Sequence, residues 1–375
     1  MPRRFQSQLL IRLLTLVAAL SAVQSWGCSV PVFRYALERW PADPYQAVVF
    51  HRGPLTEIEQ AIARCFSADG LVGGLRANIS LRTVDLDQNP RPELVEVWQQ
   101  SGAPALPAVV VQYPLATRLP GFVWSGPLAS ANAIPLLYSP ARKELVQRLV
   151  QGDSAVWVLL ESGNAQRDNA AADLLAARLA FLSATLKLPK LDAEDIAKGF
   201  VPLPDGELRV EFSMLRLSRS DAAEAALTRM LLGTETDLAD VKEPIVFPVF
   251  GRGRALYALV GAGIRTETID RAAIFLIGKC SCEVKEKNPG VDLLLAADWE
   301  KLVKAYSAPA RDLPALTNLP NLGPVTVTIS GTDAGTAPAD NTAGSVSVIG
   351  ILPVAGGLGA AAILAAFILM RRRKG

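Results

Sequence analysis

Val346 to Met370 is one apolar run, and Arg371-Arg372-Arg373-Lys374 follows it at once. About 20 apolar residues at a 1.5 Å rise cross a hydrocarbon core of roughly 30 Å, so this run predicts one transmembrane helix. A basic cluster at the end of such a helix stays cytoplasmic. The expected order is an extracytoplasmic body, a span over 346–370 and a cytoplasmic tail over 371–375. The other end agrees. Arg3, Arg4 and Arg12 precede a short apolar stretch, Leu13–Val23, and small residues follow, as in a secretory signal peptide over 1–27.

Cleavage after Gly27 makes Cys28 the first mature residue and a candidate for lipidation, as in bacterial lipoproteins. Trp26 departs from the small residues that normally precede a lipidated cysteine. The expected location is therefore the bacterial cell membrane, with a single pass. The chain carries a formal charge of +2, but the leader holds three arginines and the tail four basic residues. The body between them is net acidic, which argues against a nucleic-acid partner. Four cysteines, Cys28, Cys65, Cys280 and Cys282, do not make a disulfide scaffold, so a hydrophobic core must supply stability.

The body is long enough for two domains. From Tyr45 to Gln151 the pattern reads β-α-β-α-β-β-α. Ala47–Phe50 and Ala108–Val111 are continuous apolar strands, and Ile79–Leu86 alternates as a strand does. Leu55–Phe66 has apolar residues at helical spacing, with Cys65 on its apolar face as a structural cysteine. Pro92 opens a second helix that Gly102 closes. Phe122–Trp124 is a short strand, and Ala131–Val150 a helix broken near Pro135 or Pro140.

The order repeats from Asp153 to Gly278, with a strand at Ala155–Leu160, a long alanine-rich helix at Ala165–Leu186 and a strand within Leu208–Leu217. A helix ended by Gly233, a hairpin of Ile245–Phe250 and Ala255–Val260 across Gly251-Arg252-Gly253 and a closing helix at Thr266–Ile277 complete it, and a short strand, Val291–Leu295, follows. Two such units point to duplication. The boundaries expected are 28–151, 152–307 with a C-terminal extension, and a Pro- and Gly-rich stalk over 308–345. Val325–Ser330 alternates as an edge strand would.

Gly102-Ala-Pro-Ala-Leu106-Pro107-Ala-Val-Val resembles the segment of thioredoxin-like proteins in which a proline sits in cis before the third strand. The element order is similar to that fold as well. The resemblance covers about 105 residues of the first unit; the second unit matches in order, with Pro244 at the comparable place. It implies an α/β fold of two tandem thioredoxin-like units. Thioredoxins carry Cys-x-x-Cys between the first strand and helix, where the helix N-terminus helps form the thiolate. This chain has His51-Arg52-Gly53-Pro54 there, and Glu161-Ser162-Gly163-Asn164 in the second unit. Thiol–disulfide exchange needs a thiolate, so neither place can support it. The resemblance then implies a binding module, with a groove at His51, Arg52, Leu106 and Pro107 that takes an extended peptide of another envelope protein.

Cys280-Ser281-Cys282 is the remaining chemical candidate: a local disulfide, a redox pair, or two soft ligands for Cu(I) or Zn(II). A structural zinc site takes four ligands, and His51 and the other cysteines do not supply the rest. No motif asks for a cofactor. His51 is the chain's one histidine, after a strand, and no nucleophile is marked beside it. The glycines at 251–253 and 261–263 lack the strand–GxGxxG–helix context of a phosphate loop. Asn78-Ile-Ser80 matches a glycosylation sequon but falls in an expected strand. Gly356, Gly357 and Gly359 would let two terminal helices approach closely.

Overall fold

The computed structural model describes residues 29–71, 75–197, 208–280 and 284–307. The leader, Cys28, Cys282, the stalk with its Val325–Ser330 segment, the apolar run and the tail lie outside the described residues. Among the described residues no helix is long and apolar enough to cross a membrane. Residues to Ala315 group as one compact unit, and Leu316–Gly375 as another.

The first unit is mixed α/β with two sheets. Its elements are α1 (Val32–Arg39), β1 (Tyr45–His51), α2 (Glu57–Arg64), β2 (Ile79–Asp85), α3 (Pro92–Gln100), β3 (Ala108–Gln112), β4 (Phe122–Pro127), α4 (Ser130–Leu137) and α5 (Pro140–Val150). There follow β5 (Ala155–Leu160), α6 (Ala165–Thr185), α7 (Ala193–Ala197), β6 (Phe212–Leu217), α8 (Ala225–Leu232), β7 (Ile245–Phe250), β8 (Arg254–Ala255), β9 (Leu259–Val260), α9 (Thr266–Ile277), β10 (Val291–Asp292) and α10 (Trp299–Ser307). The first sheet runs β2-β1-β3-β4, and the second β10-β8-β7-β5-β6 with β9 on β7. In both, the first strand pairs in parallel with the second and antiparallel with the third.

Period-two alternation sorts each strand's side chains onto two faces. Val156, Val158 and Leu160 of β5 join Ala47, Val49, Val109 and Val111 of the first sheet in one core, which α2, α4, α5 and α8 fill. Trp157 and Leu159 face the opposite way, into a core built with α1, α6 and α9. Val48, Phe50, Val84 and Val110 form a thin third core under α3. The result is five layers, alternating helix and sheet.

Two segments depart from the sequence reading. Helix α1 was not expected, and it packs in the core of the second sheet. Val32 to Leu37 are all buried, Arg34 included, and at eight residues the helix is shorter than the window of about 11–18 residues over which a helical period is read. Gly251 adopts φ +58°, and a Cβ there would come 2.7 Å from the Ala36 Cβ; the hairpin glycine lets α1 approach. At the other end, the expected strand Val291–Leu295 stops at Asp292, and Leu293–Ala297 leaves the second sheet to fill the central core beside the first. Asn78 directs it. Its amide donates to the Leu293 carbonyl at 3.1 Å, and its Oδ1 accepts from the Leu295 N–H at 2.8 Å. Asn78 is therefore an internal bridge rather than a sugar acceptor. The expected strand Ala255–Val260 also splits: from Val246 to Val249 β7 advances three residues while its partner advances four, a bulge beside Pro248.

Charged groups are buried where the halves meet. Asp292 accepts from the Asp43 N–H at 2.7 Å and Arg254 Nη1 at 2.9 Å, and it pairs with Lys285. Lys285 also pairs with Asp43 at 2.8 Å. Two anions thus meet two cations. Glu224 accepts from Ser139 Oγ at 2.5 Å and from the Ala141 N–H at 2.7 Å, capping α5 from the other half. Arg142 donates to the Leu136 carbonyl at 2.8 Å. Burial pushes the Glu224 carboxyl above its ordinary value, against the pull of Ser139, Ala141 and Arg142, and lowers Arg142 to about 10.

Removing one charge from a buried cluster strands the others, at about 3–5 kcal/mol. Asp292→Ala should lose that much in urea unfolding, and a loss below about 1 kcal/mol would contradict the cluster's role. Glu224 binds its proton more tightly folded than unfolded, so folding takes up a proton as pH rises above 4.5 and stability falls through that window. Glu224→Gln should lose less stability than the parent between about pH 4.5 and 7, read as urea midpoints.

Candidate functional site

The C-terminal end of β1 and the segment before β3 make the site. Phe50 pairs with Ala108 as the last rung between β1 and β3. One step further, the register sets His51 across from Pro107. The Leu106–Pro107 bond is the only cis peptide among the described residues. His51 also pairs with Asp85 of β2. The four residues expected at a groove, His51, Arg52, Leu106 and Pro107, therefore meet at one sheet end.

Local chemistry fixes the loop. His51 Nδ1 lies 2.7 Å from the Gly53 carbonyl. A carbonyl only accepts, so Nδ1 is the donor of this contact. Arg52 Nη1 reaches Asp87 Oδ1 at 2.5 Å across an exposed surface. Thr56 and Glu59 form a capping box that starts α2 just beyond. The Leu106 N–H and C=O have no hydrogen-bond partner among the described residues. Around them stand the partly buried Leu86, Trp98, Leu106 and Phe122, and Trp98 Nε1 donates to the Pro104 carbonyl at 3.3 Å. The site offers a backbone donor and acceptor, an apolar wall, an imidazole nitrogen and an ion pair. Asp85 and Asp87 lie at its edge, joined by the Asp87 N–H to Asp85 Oδ1 at 3.0 Å.

The corresponding end of the second sheet is closed, a feature no sequence motif signals. Leu160 pairs with Ile245, so Glu161 falls beside Pro244. Arg219 donates to the carbonyls of Glu161 at 2.9 Å, Val241 at 2.6 Å and Glu243 at 2.9 Å. Ser162 and Gly163 donate backbone N–H groups to the buried Asp168. The counterpart of the open Leu106 carbonyl, that of Glu243, is occupied here.

The cysteine candidates fall elsewhere. Cys280 is wholly buried in the second core, and its N–H donates to the Val30 carbonyl at 2.9 Å. Its companion Cys282 lies outside the described residues. Cys65 ends α2, half-buried, with Sγ 3.6 Å from the Ala61 carbonyl. Among the described residues no three His, Cys, Asp or Glu side chains gather as ligands for an ion.

Arg219→Ala would leave three half-buried carbonyls to water. The expected cost is about 1–3 kcal/mol in chemical unfolding; an unchanged midpoint would show that the carbonyls do not need the guanidinium. No protein-family model, curated protein or solved structure matches this chain.

Proposed function

We propose that the chain is a membrane-anchored, extracytoplasmic bacterial envelope protein with two thioredoxin-like units that lack redox cysteines, and that the first unit binds an extended segment of another envelope protein. The unpaired Leu106 N–H and C=O carry this reading. A peptide strand laid beside Leu106 gains two main-chain hydrogen bonds, and the wall of Leu86, Trp98 and Phe122 receives its side chains. The strand order β2-β1-β3-β4 and Pro107 directly before β3 support the thioredoxin-like comparison, and the loop His51-Arg52-Gly53-Pro54 is where the chain departs from it. The step from fold to binding is analogy.

Only the first unit is open in this way, so one peptide per chain is expected. The alternative, an oxidoreductase or soft-metal handler acting through Cys280 and Cys282, asks a wholly buried sulfur to meet a substrate. Anchoring rests on the apolar run and its basic flank, and export on the leader.

A photo-reactive amino acid placed at Leu106 in the full-length chain tests the binding reading in cells. It should trap a second protein, and the same probe at Lys242, at the closed end of the second sheet, should trap none. Equal capture at both places would sink the reading. So would reduction of a test disulfide by the purified chain with Cys280 and Cys282 cycling in a thiol titration.

A further inference from the structure

Helix α6 is apolar on two opposite sides. Asp168, Ala172, Leu175, Leu179 and Leu182 face the second core. Ala170, Leu174, Ala177, Phe181 and Ala184 are all exposed, and they recur at intervals of four and three. A 4-3 apolar repeat is the seam by which one helix packs against another. Leu174 is 38% exposed and Phe181 51%. Ile274 of α9, 56% exposed, widens the patch. A surface helix normally turns charge to water, and between Ala170 and Ala184 this one carries only Asp173 and Arg178 as charges.

We propose that this outer seam of α6 is a homodimer contact, with α6 of a second copy lying parallel and in register. Charge placement selects that occupant. In a parallel pair, the residue before one large seam position faces the residue five further along the other helix. Here that rule sets Asp173 opposite Arg178 of the partner subunit, and the two-fold axis repeats the pair. Arg178 is already steadied for the role. Its Nε and Nη2 bind Asp270 at 2.6 Å each, its guanidinium lies 4.5 Å from the Phe181 ring centre, and Nη1 is left for a second carboxylate. Leu174 and Phe181 then meet their own counterparts, and the alanine layers between them let the helices come close.

The contact is small. A seam about 21 Å long and one helix (~10 Å) wide covers on the order of 200 Å² of each copy. Stable complexes cover about 800 Å² per partner. The dimer is therefore weak when dilute and forms where copies are concentrated, as on a shared membrane surface.

Thiol–thiol cross-linking of the full-length chain in intact cells tests this, with a membrane-permeant bismaleimide that bridges two thiols by addition. Ala170→Cys and Ala177→Cys should each raise the twice-mass product about tenfold over the parent chain. Ala176→Cys, one residue off the seam, should stay at the parent level. Phe181→Asp or Asp173→Arg, added to Ala170→Cys, should return the product to that level. The proposal is overturned if 170 and 177 do not exceed 176 or if the product survives Phe181→Asp. An adduct of any other mass, which would mean that a different protein occupies the seam, overturns it too.

Discussion

Asp292 is the point at which the two sheets are made one object. Its carboxylate holds Lys285, Arg254 and the backbone of Asp43, and its own carbonyl accepts from the Tyr45 hydroxyl at 2.8 Å. Tyr45 begins the first sheet, and Asp292 ends the edge of the second. Taking four charges out of water is costly, and the cost is offset only while every partner is present. The apolar segment Leu293–Ala297 follows directly. Its burial beside the first sheet is thus steered by an electrostatic knot one residue away.

The halves share a plan yet have diverged in what their sheet ends present. In the first, backbone groups at Leu106 face outward among partly buried apolar side chains. In the second, Arg219 and Asp168 saturate the same neighbourhood with internal hydrogen bonds. On the proposed reading, the first sheet end serves recognition and the second serves support. The heavier helical cover on the second sheet fits that division: α1, α6 and α9 all pack there, whereas α3 alone lies over the thin core of the first sheet.

Much of this was legible in the sequence. Continuous apolar strands such as Ala155–Leu160 and Ala108–Val111 announce buried sheets, and Pro92 and Gly102 mark a helix from both ends. The meeting of His51 with Pro107 was implied by the thioredoxin-like resemblance and not by any local pattern. What stayed hidden has common physical causes. Helix α1 is only eight residues long, shorter than the window over which a helical period is read. The crossing of Leu293–Ala297 depends on Asn78, some 215 residues away, and no local pattern encodes such a partner. Arg219 looks like any surface arginine until three carbonyls are seen around it. The outer seam of α6 was masked because two apolar stripes on opposite sides blur into a merely alanine-rich helix.

The exchange of chain ends sets the timing of folding. Arg252 grips the Leu37 carbonyl across 215 residues, and Asp292 grips Asp43 across 249. A chain made from its N-terminus therefore completes the contacts of Leu37 and Asp43 only once residues 252 and 292 have been synthesised. Bonds between such distant residues slow folding and leave sticky intermediates behind.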